Sequence, residues 1–242
     1  MNPISEAEKT TYQIHNFSDA SEKGYGCCSY LRTTQELEDG SKKIDVRLIA
    51  SKSRVAPINK VSIPRLELQA ALLAAQLNNT IIQELELPIQ ESFFWTDSQI
   101  TLAYIQNEEK RWKTYVANRV MKIKSITTRD QWRFIPGKEN PADLASRGAS
   151  AEDIQQSTWM SGPQWLESEQ QITSPTSTVE VPEEDLEVKK NHIKITTNLS
   201  KNKKSNQLNQ EASQETHPIN QIINHYSEWY KIKKAVAWLL KI

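Results

Sequence analysis

Apolar and β-branched positions in the first sixty residues fall into three runs, 12–18, 24–32 and 44–52. The first alternates through Ile14, Asn16 and Ser18, and a polar turn over 36–43 with Asp39-Gly40 separates the second from the third. Period-two patterning with this turn chemistry predicts three antiparallel strands in a meander. From Ile63-Pro64 the period changes. Leu66, Ala70, Leu73, Leu77, Ile81 and Leu85 recur three and four residues apart, predicting a long helix with one buried stripe, ended by Pro88. The continuous run through Phe93-Phe94-Trp95 predicts a fourth strand over 91–96, buried on both faces at the centre of the sheet. A helix over 98–106, a second amphipathic helix carrying Tyr115, Val116, Arg119, Val120, Ile123 and Ile126, a strand over 131–135 and a last helix from about Ala142 complete the pattern. The order β-β-β-α-β-α-α-β-α describes an α/β domain: a five-stranded mixed sheet with helices on its faces, with the first and fourth strands as central neighbours.

That domain accounts for residues 11–150. A segment over 151–166, with Trp165 in Gly162-Pro163-Gln164-Trp165-Leu166, reads as a docking segment. Residues 167–216 form an acidic run followed by a Lys-, Asn-, Gln- and Ser-rich run without apolar periodicity, the composition of a disordered linker. Helical periodicity returns over 217–242, where Ile222, Tyr226, Trp229, Val236 and Leu240 have no evident core to pack on. The whole-chain figures agree: 37% hydrophobic residues and a mean hydropathy of −0.65 are low for 242 wholly packed residues. No run approaches the roughly 20 apolar residues of a membrane span. The start Met-Asn-Pro-Ile-Ser-Glu lacks the build of a secretory signal, so an intracellular protein is expected. The two cysteines, Cys27-Cys28, point to opposite faces of a strand and suit neither a disulfide nor a metal knuckle; they read as reduced packing residues.

The formal net charge is zero, so total charge gives no argument for a polyanionic partner. Its distribution does. Between Lys110 and Arg133 stand eight basic residues against one acid, Asp130, with Trp112, Tyr115 and Trp132 among them. Lys110, Arg111, Lys113, Arg119, Lys122 and Lys124 are the candidate nucleic-acid contacts, since cations neutralise phosphates and aromatic faces lie against sugars or bases. The same composition also fits a solvated helix face with buried aromatics.

Four acids occupy particular places: Asp19 at the end of the first strand, Glu67 in the first turn of the long helix, Asp97 directly after the fourth strand, and Asp143 in Asn140-Pro141-Ala142-Asp143. One reading is four unrelated helix-terminal or strand-end carboxylates, favourable to helix dipoles on their own account. The other is convergence at one end of the sheet, where like charges need hard divalent cations to coexist. Two such ions would act on a phosphodiester.

Five ordered stretches resemble a known family: Phe17-Ser18-Asp19-Ala20-Ser21; Ala50-Ser51-Lys52-Ser53-Arg54-Val55-Ala56-Pro57; Ile63-Pro64-Arg65-Leu66-Glu67-Leu68-Gln69-Ala70-Ala71; Trp95-Thr96-Asp97-Ser98; and Asn140-Pro141-Ala142-Asp143-Leu144-Ala145-Ser146-Arg147-Gly148. Together with Val116-Ala117-Asn118-Arg119 and Trp159-Met160-Ser161-Gly162-Pro163, they resemble the ribonuclease H region of BEL/Pao-type LTR retrotransposon polyproteins over about residues 11–166. The resemblance implies an RNase H-like fold in which Asp19, Glu67, Asp97 and Asp143 are catalytic and hold two Mg²⁺ ions, with Mn²⁺ as a substitute. It implies cleavage of the RNA strand of an RNA/DNA hybrid, with reverse transcriptase and integrase regions as polyprotein partners. Such elements also carry a Pao peptidase name, but no Asp-Thr-Gly or Asp-Ser-Gly triplet occurs. The sequence departs from the family's relatives in three respects. The loop before the last acid is Gly137-Lys138-Glu139-Asn140, without the His of related retroviral domains, and the four histidines and two cysteines make no integrase-type zinc module. No Tyr-x-Asp-Asp polymerase signature is present either. The chain thus reads as a polyprotein fragment, either an active endonuclease or a binding remnant that has kept the fold.

Overall fold

The computed structural model describes residues 9–109, 111–168, 185 and 187–189. The expected C-terminal helix and most of the expected linker lie outside these residues, as does Lys110. Three long strands come first, β1 Lys9–Ala20, β2 Gly24–Glu36 and β3 Lys42–Val55. Helix α1 spans Ile63–Glu84, β4 Ile89–Thr96, α2 Gln99–Gln106, α3 Thr114–Lys124 and β5 Trp132–Phe134. Two short helices follow, α4 Ala142–Arg147 and α5 Ala151–Gln156. The sheet order is β3-β2-β1-β4-β5; the meander is antiparallel, and β1–β4 and β4–β5 are parallel. This is the mixed five-stranded sheet expected, with β1 and β4 side by side.

Each face of the sheet carries its own core. On one, α1, α2 and α3 bury Leu68, Ala71, Leu102, Ile105, Val116 and Ile123 against Cys27, Phe94 and Trp132. The α1 stripe is broad because small residues, Ala70, Ala71, Ala74 and Ala75, let the helix lie close to the strands. Below it, Ser29 donates to Asn16 Oδ1 at 2.7 Å and Asn16 Nδ2 donates to Asn78 Oδ1 at 3.0 Å, so these three polar side chains between α1 and the sheet pair with one another. The other face gathers Phe17, Cys28, Tyr30, Trp95, Ile135 and Leu166. Cys27 and Cys28 therefore do fall on opposite faces; both are free and buried.

The second face is covered by residues 157–168. Trp165 lies 4.8 Å from Trp95, ring centre to ring centre, Tyr30 donates its hydroxyl to Trp159 O, and Arg32 donates to Leu166 O and Ser168 O. Gly162, at φ 76°, lies against the Tyr30 ring, where a Cβ would come within 3.1 Å. Helix α5 went unseen in the periodicity because its evidence is local: Ser150 and Asp153 form a reciprocal capping box. No described helix is long and apolar enough to cross a membrane.

Candidate functional site

Because β1 and β4 run parallel with Ser18 opposite Thr96, Asp19 and Asp97 emerge side by side at the same end of the sheet. Glu67 comes from α1 above them. One carboxylate oxygen from each of the three lies within 4.8 Å of the others. The capping explanation fails for two of these acids. The first turn of α1 contains no acid, Glu67 being the fifth helical residue and only 8% exposed, and the N-cap of α2 is Ser98, whose side chain accepts from Thr101 N–H. It does hold for Asp143, which sits in the first turn of α4.

Burial dominates the electrostatics. It pushes the Glu67 carboxyl from 4.5 up to about 9, with the charges of Asp19 and Asp97 acting in the same direction and the Ala20 N–H opposing them. Asp19 is pushed up to about 6, again chiefly by burial, against a hydrogen bond from Ser146. Asp97 is also raised, by burial first and by Asp143 among the charges. Three carboxyls at such short range, each raised chiefly by burial, make a poor structural centre and a good cation seat. The donor set is all hard oxygen, and Glu67 Oε2 is buried with no hydrogen-bond partner, so the residues fit a divalent cation of the Mg²⁺ type.

Asp143 stands at the edge of this group. It is near enough to raise Asp19 and Asp97 electrostatically, yet its carboxylate accepts from Arg147 Nε at 2.5 Å, one turn along α4. Close approach of α4 to β2 depends on glycine: a Cβ on Gly26 would stand 2.7 Å from Ala145 Cβ, and one on Gly24 3.2 Å from Ser146 O. From this position α4 and the turn before it brace the other acids. Asn140 Nδ2 donates to Ser18 O at 3.0 Å and to Asp97 Oδ1 at 3.3 Å, while Asn140 Oδ1 accepts from Ala142 N–H. Ser146 donates its hydroxyl to Asp19 Oδ2, and Ser21 donates to Ser146 O. Asn140, Ser146 and Arg147 were inside a recognised stretch but carried no role in the sequence reading, because uncharged groups acquire one only through their partners. Gly137 belongs here too: a Cβ would meet Asp97 Oδ2 at 2.9 Å, so the loop lacking the expected His passes directly over the carboxylate. A cleft of about 650 Å³ opens beside Asp143, lined by Lys138, Glu139, Asn140, Thr158 and Trp165 among others.

The basic segment divides. Trp112 and Trp132 are core residues, Trp132 stacking on Phe94 at 4.7 Å, so neither offers a face to a base. Tyr115 is half-buried between two guanidinium groups, Arg119 at 3.4 Å and Arg65 at 4.7 Å. Arg119 also donates to Gln69 and to Tyr115 O. Lys124 Nζ reaches Asn107 O. Arg111, Lys113 and Lys122 are exposed. His15 plays no part in the site: fully buried beside Phe93 and Trp95, it is held neutral by burial and by Arg32 and Arg133, its pKa pushed down to about 3.

Residues 2–98 match the family model of the Pao retrotransposon-like RNaseH-like domain, so the resemblance read from the motifs holds over that part of the chain. No curated protein matches the chain. Among solved structures, it is similar to the N-terminal RNase H domain of a Mycobacterium tuberculosis protein, fused to maltose-binding protein, at 12% identity and a TM-score of 0.37, covering 60% of this chain and 98% of that one. It is similar to LC11-RNase H1 in complex with an RNA/DNA hybrid at 16% identity and a TM-score of 0.37, covering 60% and 99%. RNase H1 from the halophilic archaeon Halobacterium salinarum NRC-1 gives 12% identity and a TM-score of 0.34, covering 56% and 94%.

Proposed function

We propose that this chain is the RNase H domain of a BEL/Pao-type retroelement polyprotein, hydrolysing the RNA strand of RNA/DNA hybrids inside the cell beside reverse transcriptase and integrase regions. The observation that carries the reading is the convergence of Asp19, Glu67 and Asp97 within 4.8 Å, with Glu67 Oε2 buried and unpartnered. Two divalent cations, Mg²⁺ or in its place Mn²⁺, held by these three and Asp143, would supply the positive charge that a phosphodiester needs as it is cleaved by water. The chain's own residues fix the geometry for this. Ser146 donates to one oxygen of Asp19 and Asn140 to one oxygen of Asp97, which restrains both carboxylates. Asp143 joins by exchanging its solvent-exposed partner Arg147, a pair of the kind that contributes little. Arg111, Lys113 and Lys122 hold backbone phosphates and position the duplex, whose minor-groove shape and 2′-hydroxyls identify the RNA strand.

A second reading, a hybrid-binding module without turnover, draws on one observation: Asp143 pairs with Arg147 and is outside the trio. The two separate on a hybrid labelled in either strand. Cleavage of the RNA strand alone, dependent on Mg²⁺ or Mn²⁺ and abolished in Asp97→Asn, is expected. A folded protein that binds the hybrid and leaves both strands intact with either ion would sink the enzymatic reading.

A further inference from the structure

Four described residues of the expected linker are packed against the domain, contrary to their composition. Glu187 accepts from Arg65 through both carboxylate oxygens, at 2.7 and 3.2 Å, and is 8% exposed. Tyr104 donates its hydroxyl to the Asp185 carboxylate at 3.1 Å, and Glu187 N–H donates to Asp185 Oδ1 at 2.7 Å. The backbone is paired as well: Lys113 N–H donates to Glu187 O at 2.7 Å, Lys189 N–H to Arg111 O at 2.8 Å, and Trp112 and Val188 form an antiparallel bridge. Charged residues were expected to remain solvated. They pack because Arg65, 122 residues away in sequence, meets Glu187, a pairing that no local pattern encodes.

The groups they meet are those an incoming polyanion would use. Arg65 lies two residues before Glu67 on α1, and its guanidinium shares the Tyr115 ring with that of Arg119. A carboxylate gripped by both arms of a guanidinium reproduces the way a phosphate is gripped. Lys113 and Arg111, candidate phosphate contacts, are tied to the segment through their backbones, their side chains remaining exposed beside it. Val188 is its one apolar anchor among the described residues. The rest of the attachment is polar and can be exchanged in kind.

We infer that Arg65, Tyr115, Arg119 and the N-terminal end of α3 form a seat for a nucleic-acid backbone, and that the acidic segment around Asp185 and Glu187 occupies it as an internal competitor which the hybrid displaces. This rests on the hybrid-binding reading above and adds its regulation: affinity is set by a segment of the chain itself.

The test uses the full chain, a short RNA/DNA hybrid and EDTA to prevent cleavage. The double variant Asp185→Asn, Glu187→Gln keeps the shape of both side chains while removing two negative charges. It should bind about threefold or more tighter at low salt, with a salt dependence steeper by about one unit, for the one phosphate that Arg65 is then free to hold. In the wild type, hybrid should accelerate amide exchange at Lys113 and Lys189, the two N–H groups that tie the segment down. Equal affinity and salt slope, with both amides still protected in the complex, would make the segment a fixed part of the fold and overturn the inference. Should the variant melt too early for binding to be read, wild-type exchange alone decides. A wild type that binds no hybrid at any salt refutes the functional reading and the competitor with it; binding without displacement refutes only the competitor.

Discussion

Replacing Glu67 by Gln should change how stability depends on pH more than it changes stability itself. In the metal-free fold the Glu67 carboxyl is pushed from 4.5 up to about 9 by burial and by its acidic neighbours, whereas in the unfolded chain it ionises near its ordinary value. Between those two values the folded state holds a proton that the unfolded state has lost, so stability must fall as pH rises through the window. The penalty is absent below about pH 4.5 and complete above about pH 9. One proton corresponds to about 1.4 kcal/mol per pH unit, so from pH 5.5 to 7.5 the wild type should lose about 2–3 kcal/mol through this residue. For a domain of this size that is roughly 5–10 °C in Tm. Asp19, pushed up to about 6, adds a loss of the same sign at the acidic end of the range, in wild type and variant alike. The amide of the variant does not titrate, and any cost of burying it is the same at every pH. Melts in EDTA across this range should therefore show a steep wild type and a much flatter variant, with the curves crossing or converging toward acid. Mg²⁺ should restore the wild type near neutral pH and leave the variant largely unmoved. Parallel pH profiles would refute the reasoning, because they would mean that Glu67 is ionised in the apo fold.

Asp97→Asn retains the oxygen that accepts from Asn140 and removes a charge from the crowded end of the sheet. Its apo Tm should be unchanged or slightly higher while Mg²⁺-dependent cleavage falls by more than about 100-fold; a variant that melts earlier yet still cuts would leave Asp97 a structural residue. Ser146→Ala removes the hydroxyl that holds Asp19 and should weaken Mg²⁺ affinity by about 10–100-fold, measured by calorimetry, at a cost of about 1–3 kcal/mol in stability. Lys113→Ala with Lys122→Ala, both exposed, should leave Tm unchanged and lower the salt slope of hybrid binding by about one unit for each phosphate no longer held. Unchanged binding would return these lysines to a plain solvated face.

The strand order and three of the four acids were legible because each is a matter of local pattern. A meander, a helix with a small-residue stripe and a doubly buried strand leave few ways to assemble, and in the one observed β1 and β4 are adjacent and parallel, bringing Asp19 and Asp97 together. The braces were not legible. Nothing in the spacing of Asn140 or Ser146 shows that one reaches Ser18 and Asp97 and the other Asp19, since those pairings span more than forty residues each. The aromatic residues of the basic segment misled for a related reason. Trp112 and Trp132 are as compatible with a base-stacking surface as with a core, and only the helix layer above Phe94 decides for the core. The α1 register also mattered. With the helix starting at Ile63, as expected, Glu67 is the fifth helical residue and lies past the first turn, which removes the dipole explanation that its sequence position had suggested.

The placement of α4 on two glycines of β2 divides the site into two levels of cooperativity. Asp19 and Glu67 belong to β1 and α1 and Asp97 directly follows β4, elements that close the main core and open at the high end of the domain's stability. Asp143 belongs to a six-residue helix whose buried residues are Ala142 and Ser146 alone, held by backbone proximity to Gly24 and Gly26 and by a few hydrogen bonds. A unit with so little apolar surface opens at a fraction of the global unfolding free energy. The fourth carboxylate and the brace on Asp19 would leave together, reversibly, while the sheet stays intact. Such a domain would lose the geometry of the carboxylate site on warming before it loses its fold, and would regain it on cooling without refolding.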